Sequence, residues 1–192
     1  LAVAGLVNRQ RRILEVSPVF QWKDVDVAAE LRRYVDLPVI FDNVVRVMAL
    51  GELWYGEGGR FRDFICLNVG YGIGAGIVAN GQLFYGSRGM SGEIGHATMD
   101  PASEAVCECG NRGCLEALSS GHAIATAARQ ALAAGEPSAL ACPGMAAAEI
   151  SAERVAQAAA QGDALAQRIF RQAAERIGLA IACMMSVFNP EA

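Results

Sequence analysis

The sequence predicts an α/β fold with a mixed sheet and long helices. Three observations carry this expectation. Short apolar runs bounded by turn residues crowd the chain as far as Tyr85, helical periodicity fills it from about residue 115 onward, and a strand-turn-helix junction falls at Asp42-Asn43.

Residues 1–7 and 13–19 read as two strands of a hairpin, parted by the polar turn Asn8-Arg9-Gln10. Asp24 or Asp26 can cap a helix to about Val35, because Val27, Leu31 and Tyr34 recur at helical spacing and Asp36-Leu37-Pro38 ends it. Val39-Ile40-Phe41 is then a short buried strand. Asp42-Asn43 turns into a second helix from about Val44 to Tyr55, closed by Gly56, Gly58 and Gly59. Phe64 to Val69 is an apolar run that passes through the glycine-rich Gly70 to Gly76 into Ile77-Val78-Ala79, as two joined strands would. Asn80-Gly81 is a tight hairpin signature, with Gln82 to Tyr85 returning. From about 86 to 114 the chain is rich in Gly, Ser, Pro and Cys, an irregular loop that something other than an apolar core must hold. Helices are expected at about 115–134, 148–161 and 163–188, with Pro137 and Pro143 in a linker and Gly162-Asp163 as a break and cap. The last helix is apolar at Leu165, Ile169, Ala173, Ile177, Ile181 and Met184, which marks it first as a core element.

The 192 residues, 53% of them hydrophobic, suffice for one substantial core or one lobe of a larger protein. Sixteen basic against 20 acidic residues give a net charge of −4, and no Lys/Arg cluster is dense enough to grip a phosphate backbone. Charged residues interrupt every apolar stretch well short of a membrane span. The N-terminus lacks the order of a signal peptide, since Arg9, Arg11 and Arg12 follow the apolar start. A cytoplasmic protein is expected. Cys66, Cys142 and Cys183 stand alone in apolar surroundings, which fits a reducing compartment. The apolar opening without a Met and the close at Asn189-Pro190-Glu191-Ala192 read as the ends of a fragment.

Between His96 and Cys114 the spacing is H-x10-C-x-C-x4-C, one imidazole and three thiolates in a segment nearly bare of apolar side chains. Such a donor set suits a tetrahedral Zn²⁺ bound by His96, Cys107, Cys109 and Cys114, and four protein ligands leave no open position, so the site is structural. Gly95, Gly110 and Gly113 let the backbone turn tightly around the metal. In the other glycine-rich stretch, Gly70, Gly72 and Gly74 could bring backbone N–H groups close to a phosphate, or could equally mark a tight packing corner.

The segments GYGIGAGIVANGQLFYGSRGMSGEIGHATMD and CECGNRGCLEALSS, preceded by LPVIFDNVVRVMALGE, resemble the signature of the ROK family of repressors and sugar kinases. The resemblance covers most of the chain. It implies an actin-like, ribonuclease H-like sugar-kinase fold, of which residues 1–192 would form mainly the C-terminal lobe as a single sugar-binding domain. In the family's kinases an Asn-Asp pair at a helix start, the Glu and His of E-x-G-H and a Glu after the last Cys-Leu bind the sugar, and that Asp takes the proton of the attacking hydroxyl. Asn43, Glu93, His96 and Glu116 match the sugar positions. On residue type alone Glu93 would be a solvated loop charge and Glu116 a helix N-terminal acid. The position of the catalytic Asp falls on Val44, which cannot accept a proton, and Tyr71 stands where a small hydroxyl residue is expected beside the phosphate. Arg46 resembles the regulators' pattern, or is a surface helix charge.

The resemblance therefore implies the sugar-sensing effector domain of a transcriptional regulator without kinase activity. It would bind a small sugar, reach DNA through an N-terminal module outside this segment, and form a homo-oligomer. The alternative is an ATP- and Mg²⁺-dependent hexose or N-acylhexosamine kinase with Asp42 recruited as base.

Overall fold

The computed structural model describes residues 1–141 and 146–192, so Cys142 and Pro143 lie outside the described residues. The chain divides into two compact units: Leu1–Asn68 with Gly74–Glu93 and Asn189–Ala192, and Val69–Ile73 with Ile94–Phe188. The sheets and helices are those of a mixed α/β protein.

The first unit opens with β1 (Ala2–Val3), β2 (Leu6–Asn8), β3 (Ile13–Ser17) and β4 (Trp22–Val25). The expected first strand is split, because Gly5 sits at φ +133, where an added Cβ would collide with the Val16 carbonyl oxygen. Only glycine permits that bend, and it sends β1 and β2 into different sheets. β2, β3 and β4 form an antiparallel meander. β4 replaces the expected start of a helix at Asp24. The cap falls instead at Asp26, whose carboxylate accepts the Ala29 N–H at 2.8 Å to start α1 (Val27–Leu31). This helix stops short of Val35, and Tyr34 is 83% exposed, so its helical spacing reflects no packing. Val39-Ile40-Phe41 is not a strand either. Ile40 is exposed, and β5 (Asp42–Asn43) pairs parallel with β1, Ala2 opposite Asp42 and Val3 opposite Asn43.

α2 (Val44–Tyr55) has the expected bounds, starting on an Asn43 side chain that accepts the Val45 N–H and ending at Gly56. β6 (Phe64–Val69), β7 (Ile73–Ala79) and β8 (Gln82–Leu83) form a second three-stranded sheet. β7 and β8 are joined at Asn80-Gly81, with φ 54 and 73, the positive pair that a tight hairpin demands. β7 begins at Ile73, so the glycines at 74 and 76 belong to a strand. Gly76 leaves room for Ala49 and the Val45 carbonyl of α2. The chain end returns beside β6, where Ile65 N–H donates to the Ala192 carbonyl at 3.0 Å and Glu191 N–H to Asp63 at 2.7 Å. Two small cores result, Val3, Val7, Leu14 and Val27 in one, and Ala49, Phe64 and Val78 in the other.

The second unit holds α3 (Leu115–Ser119), α4 (Gly121–Ala133), α5 (Ala152–Ala160) and α6 (Ala164–Phe188). The helix expected over 115–134 breaks at Ser120, which is extended (φ −71, ψ 166) and caps α4 through its hydroxyl. A 3-10 turn at Ala147–Glu149 precedes α5. Gly162 (φ 92) and Asp163, which accepts the Ala166 N–H at 2.8 Å, make the expected break before α6. Ile124, Ala128, Val155, Leu165, Ala166 and Ile169 pack into its core. Along α6 the buried stripe runs on through Ala173, Ala180 and Met184, leaving Ile181 40% exposed. The sequence expectation for Ile181 fails because the 3.6-residue period carries the stripe to Ala180 instead. Cys183 is likewise exposed and Cys66 only half-buried. No helix among the described residues is long and apolar enough to cross a membrane.

Candidate metal centre and ligand-binding residues

The irregular segment before α3 folds onto itself through backbone hydrogen bonds. Cys107 N–H donates to the Asn111 carbonyl and Gly110 N–H to the Cys107 carbonyl, both at 2.8 Å, so residues 107–111 form a tight knuckle. Gly113 sits at φ +65 with its α-carbon against the Asp100 carbonyl, a position any Cβ would block. Its own carbonyl accepts Met99 N–H at 2.8 Å, and Leu115 N–H donates to the Ala97 carbonyl at 2.9 Å. Gly95 similarly backs onto the Ile73 carbonyl. These contacts place His96, at the end of a 3-10 turn (Ile94–His96), beside the knuckle and beside Cys114 at the head of α3.

One ligand atom from each of His96, Cys107, Cys109 and Cys114 then lies within 4.8 Å of all the others. His96 Nδ1 is 3.4 Å from Cys107 Sγ, and Cys109 Sγ is 3.7 Å from Cys114 Sγ. A tetrahedral metal at the usual zinc bond lengths sets an edge of about 3.5 Å between nitrogen and sulfur and about 3.8 Å between two sulfurs. The observed edges fit such a site, so these four residues can hold a metal ion. Burial, with hydrogen bonds from Cys109 and Cys107, pushes the Cys114 thiol up to about 12, and burial also raises Cys107. The Asn111 backbone hydrogen bond lowers Cys109. Three thiols gathered this closely, two of them buried, favour a cation that takes the place of their protons.

Glu116, on the first turn of α3, turns its carboxylate to the glycine-rich turn. Its Oε2 accepts the Ile73 N–H at 2.7 Å and occupies the space that a Cβ on Gly72 would need. Gly121 N–H, at the start of α4, donates to the Gly70 carbonyl at 2.8 Å. The Tyr71 ring packs on the His122 ring, 5.4 Å between centroids. Neither link of the turn, to Glu116 or to His122, is visible in spacing, since each joins positions more than 40 residues apart.

Within the first unit, Asn43 is committed on both sides, its Oδ1 to Val45 N–H at 2.9 Å and its Nδ2 to the Gly5 carbonyl at 2.9 Å. Val44 is the first residue of α2. Asp42 is 8% exposed and Arg46 only 2%. Asp42 Oδ1 accepts Arg46 Nη1 at 3.2 Å and the Asn43 N–H at 2.8 Å, and Arg9 approaches its other oxygen at 3.8 Å. Arg46 is therefore no surface charge. The sequence signal for this pair was the Asp-Arg spacing of four across the start of α2, which residue type alone could not mark as buried. The Tyr85 phenol beside the pair is raised by burial first and by Asp42 second. Glu93 directly precedes the Ile94–His96 turn and is half-buried.

A model of the ROK family matches residues 1–192. The chain belongs to the ROK family. It is 34% identical over 192 residues to the xylose repressor of Caldicellulosiruptor bescii, covering 100% of this chain and 47% of the repressor. Among solved structures it is similar to a ROK family transcriptional regulator described as a homologue of the E. coli MLC protein, with TM-score 0.82, 38% identity and coverage of 99% of this chain and 47% of that one. It is also similar to a ROK family glucokinase from Streptomyces griseus in complex with glucose and AMPPNP, with TM-score 0.86, 31% identity and coverage of 98% and 61%. The chain spans about half the length of the curated relatives it matches. Its fold is the actin-like one of the ROK sugar kinases and repressors, and its ROK relatives include repressors and kinases alike.

Proposed function

We propose that residues 1–192 are the sugar-sensing effector domain of a ROK transcriptional regulator, inactive as a kinase and stiffened by one structural Zn²⁺. The carrying observation lies at the head of α2. Val44 occupies the position of the family's catalytic Asp, and Asp42, two residues before it, is buried and engaged by Arg46 and the Asn43 N–H. A buried carboxylate committed to a guanidinium and a backbone N–H is not free to reach a sugar hydroxyl. Asn43, Glu93, His96 and Glu116 are retained as sugar-binding positions, because amides and carboxylates suit paired hydroxyls. Zn²⁺ on His96, Cys107, Cys109 and Cys114 would hold the segment that follows Glu93 and precedes Glu116, which is the outer support such polar groups need.

DNA binding belongs in this reading to a part of the regulator outside these residues, since the sequence carries no dense Lys/Arg cluster. The regulator would be cytoplasmic and homo-oligomeric, with the exposed apolar residues Leu179, Ile181 and Met185 of α6 available for assembly. The second reading, an ATP- and Mg²⁺-dependent sugar kinase using Asp42 as base, is favoured by the likeness to the glucokinase in complex with glucose and AMPPNP. Incubating the full-length protein with ATP, Mg²⁺ and a panel of hexoses and N-acylhexosamines separates the two. No sugar phosphate should form; turnover at ordinary kinase rates, about 1–100 s⁻¹, would establish the kinase.

A further inference from the structure

Arg46 matches the regulators' pattern without a role assigned to it, and its surroundings are unusual for a helix arginine. Its side chain is 2% exposed, Nη1 bonds Asp42 Oδ1, Nη2 bonds the Gly89 carbonyl, and Nε has no partner. A buried ion pair contributes little net stability over an apolar replacement, because desolvation offsets its attraction. An arginine buried at that cost, with one nitrogen still unpaired, is held for the geometry it imposes.

That geometry joins two segments. Asn43 lies three residues before Arg46, and Glu93 lies four residues after Gly89. The stretch from Gly86 to Gly92 has almost no buried side chains. It is pinned at its far end, where the Ala75 N–H donates to the Gly92 carbonyl at 2.8 Å and Gly92, at φ +86, presses on the Ala75 carbonyl. Within the stretch, the Arg46 bond to Gly89 is the tie that comes from α2. The fork of a guanidinium reaches a carboxylate and a carbonyl at once; an ammonium is a single point.

We propose that Arg46 is a positioning residue for sugar recognition: it ties the α2 start that carries Asn43 to the loop that carries Glu93, and so sets the spacing of two sugar-binding side chains. This inference rests on the sugar-sensing reading. It gives the Asp42 pair a role in place of catalysis, that of anchoring Arg46.

The test compares full-length wild type, Arg46→Met and Arg46→Lys, each titrated with glucose, xylose and N-acetylglucosamine. Zinc content, the urea midpoint and amide hydrogen exchange over residues 86–92 are measured alongside. Arg46→Met should keep its zinc, exchange faster over residues 86–92, and lose roughly ten- to a hundredfold in sugar affinity. Arg46→Lys should recover the urea midpoint by pairing with Asp42 while keeping both the exchange and the affinity defects, which a merely structural role would not produce. Affinity that follows the urea midpoint through both variants, or unchanged exchange in Arg46→Met, would overturn the inference. Wild type that binds none of the sugars would remove the sugar-sensing reading and this inference together, whereas wild-type binding with an unaffected Arg46→Met would remove this inference alone.

Discussion

Gly113 carries two constraints at once, a left-handed φ of 65 and an α-carbon seated against the Asp100 carbonyl. Gly113→Ala should cost on the order of 1–3 kcal/mol and displace Cys114, the next residue, so that purified protein contains well under one zinc per chain by metal analysis. Cys114 also sets a pH dependence. Its thiol is raised from the ordinary 9.0 to about 12 chiefly by burial, so in the metal-free fold its proton is held tightly. Stability from that raised group is present below pH 9 and lost as pH rises towards about 12. Metal binding runs the other way, because the ion must displace the proton. Zinc affinity should therefore fall steeply on acidification from about pH 7 to about pH 5, seen as release to a chromogenic chelator; pH-independent retention would contradict the thiolate site. Besides its expected places at the sugar and at the turn into α2, the Asn43 side chain caps α2 and holds Gly5. Asn43→Ala should lower unfolding free energy by about 1 kcal/mol as well as weaken sugar binding, with denaturation and titration reading the two effects separately.

At the scale of elements, support differs sharply along the chain. α4, α5 and α6 share an apolar core, whereas residues 94–114 hold together by backbone bonds, side-chain links such as Asn111 to Thr98 and Arg112 to Glu104, and the four candidate metal ligands. Chelation should accordingly raise amide exchange over residues 95–114 by orders of magnitude while leaving α4 to α6 protected, as expected of a unit whose opening is local; equal loss of protection in the helices would contradict this. Ser120→Ala should remove the α4 cap and leave a buried amide unpaired, for about 1–2 kcal/mol, read in urea unfolding. The contrast between α2 and its predecessors shows what is legible in sequence. α2 carries its cap at Asn43 and its stop at Gly56 in local chemistry, and its bounds follow directly. β4 was hidden because Lys23 and Asp24 face solvent on an edge and leave no apolar alternation. Val39 to Phe41 looked like a strand on composition, but pairing is decided by β1, far away in sequence. The break at Ser120 was written as Ser-Ser-Gly and lost within an alanine-rich pattern. In the site, the candidate metal ligands are legible because their spacing is local. The bonds of Glu116 to Ile73 and of Arg46 to Gly89 are tertiary, and no spacing rule reports them.

For the whole molecule the account turns on the separation of recognition from catalysis. The retained polar positions and the Cys/His cluster argue for a working sugar site, and Val44, the engaged Asp42 and the Tyr71 ring on His122 argue against phosphoryl transfer. The most direct measurement is calorimetric titration of the full-length protein with glucose, xylose and N-acetylglucosamine, and separately with Mg²⁺-ATP. The account predicts saturable binding of a sugar with no heat from ATP; binding of ATP to the sugar-loaded protein, followed by a continuing heat of turnover, would contradict it.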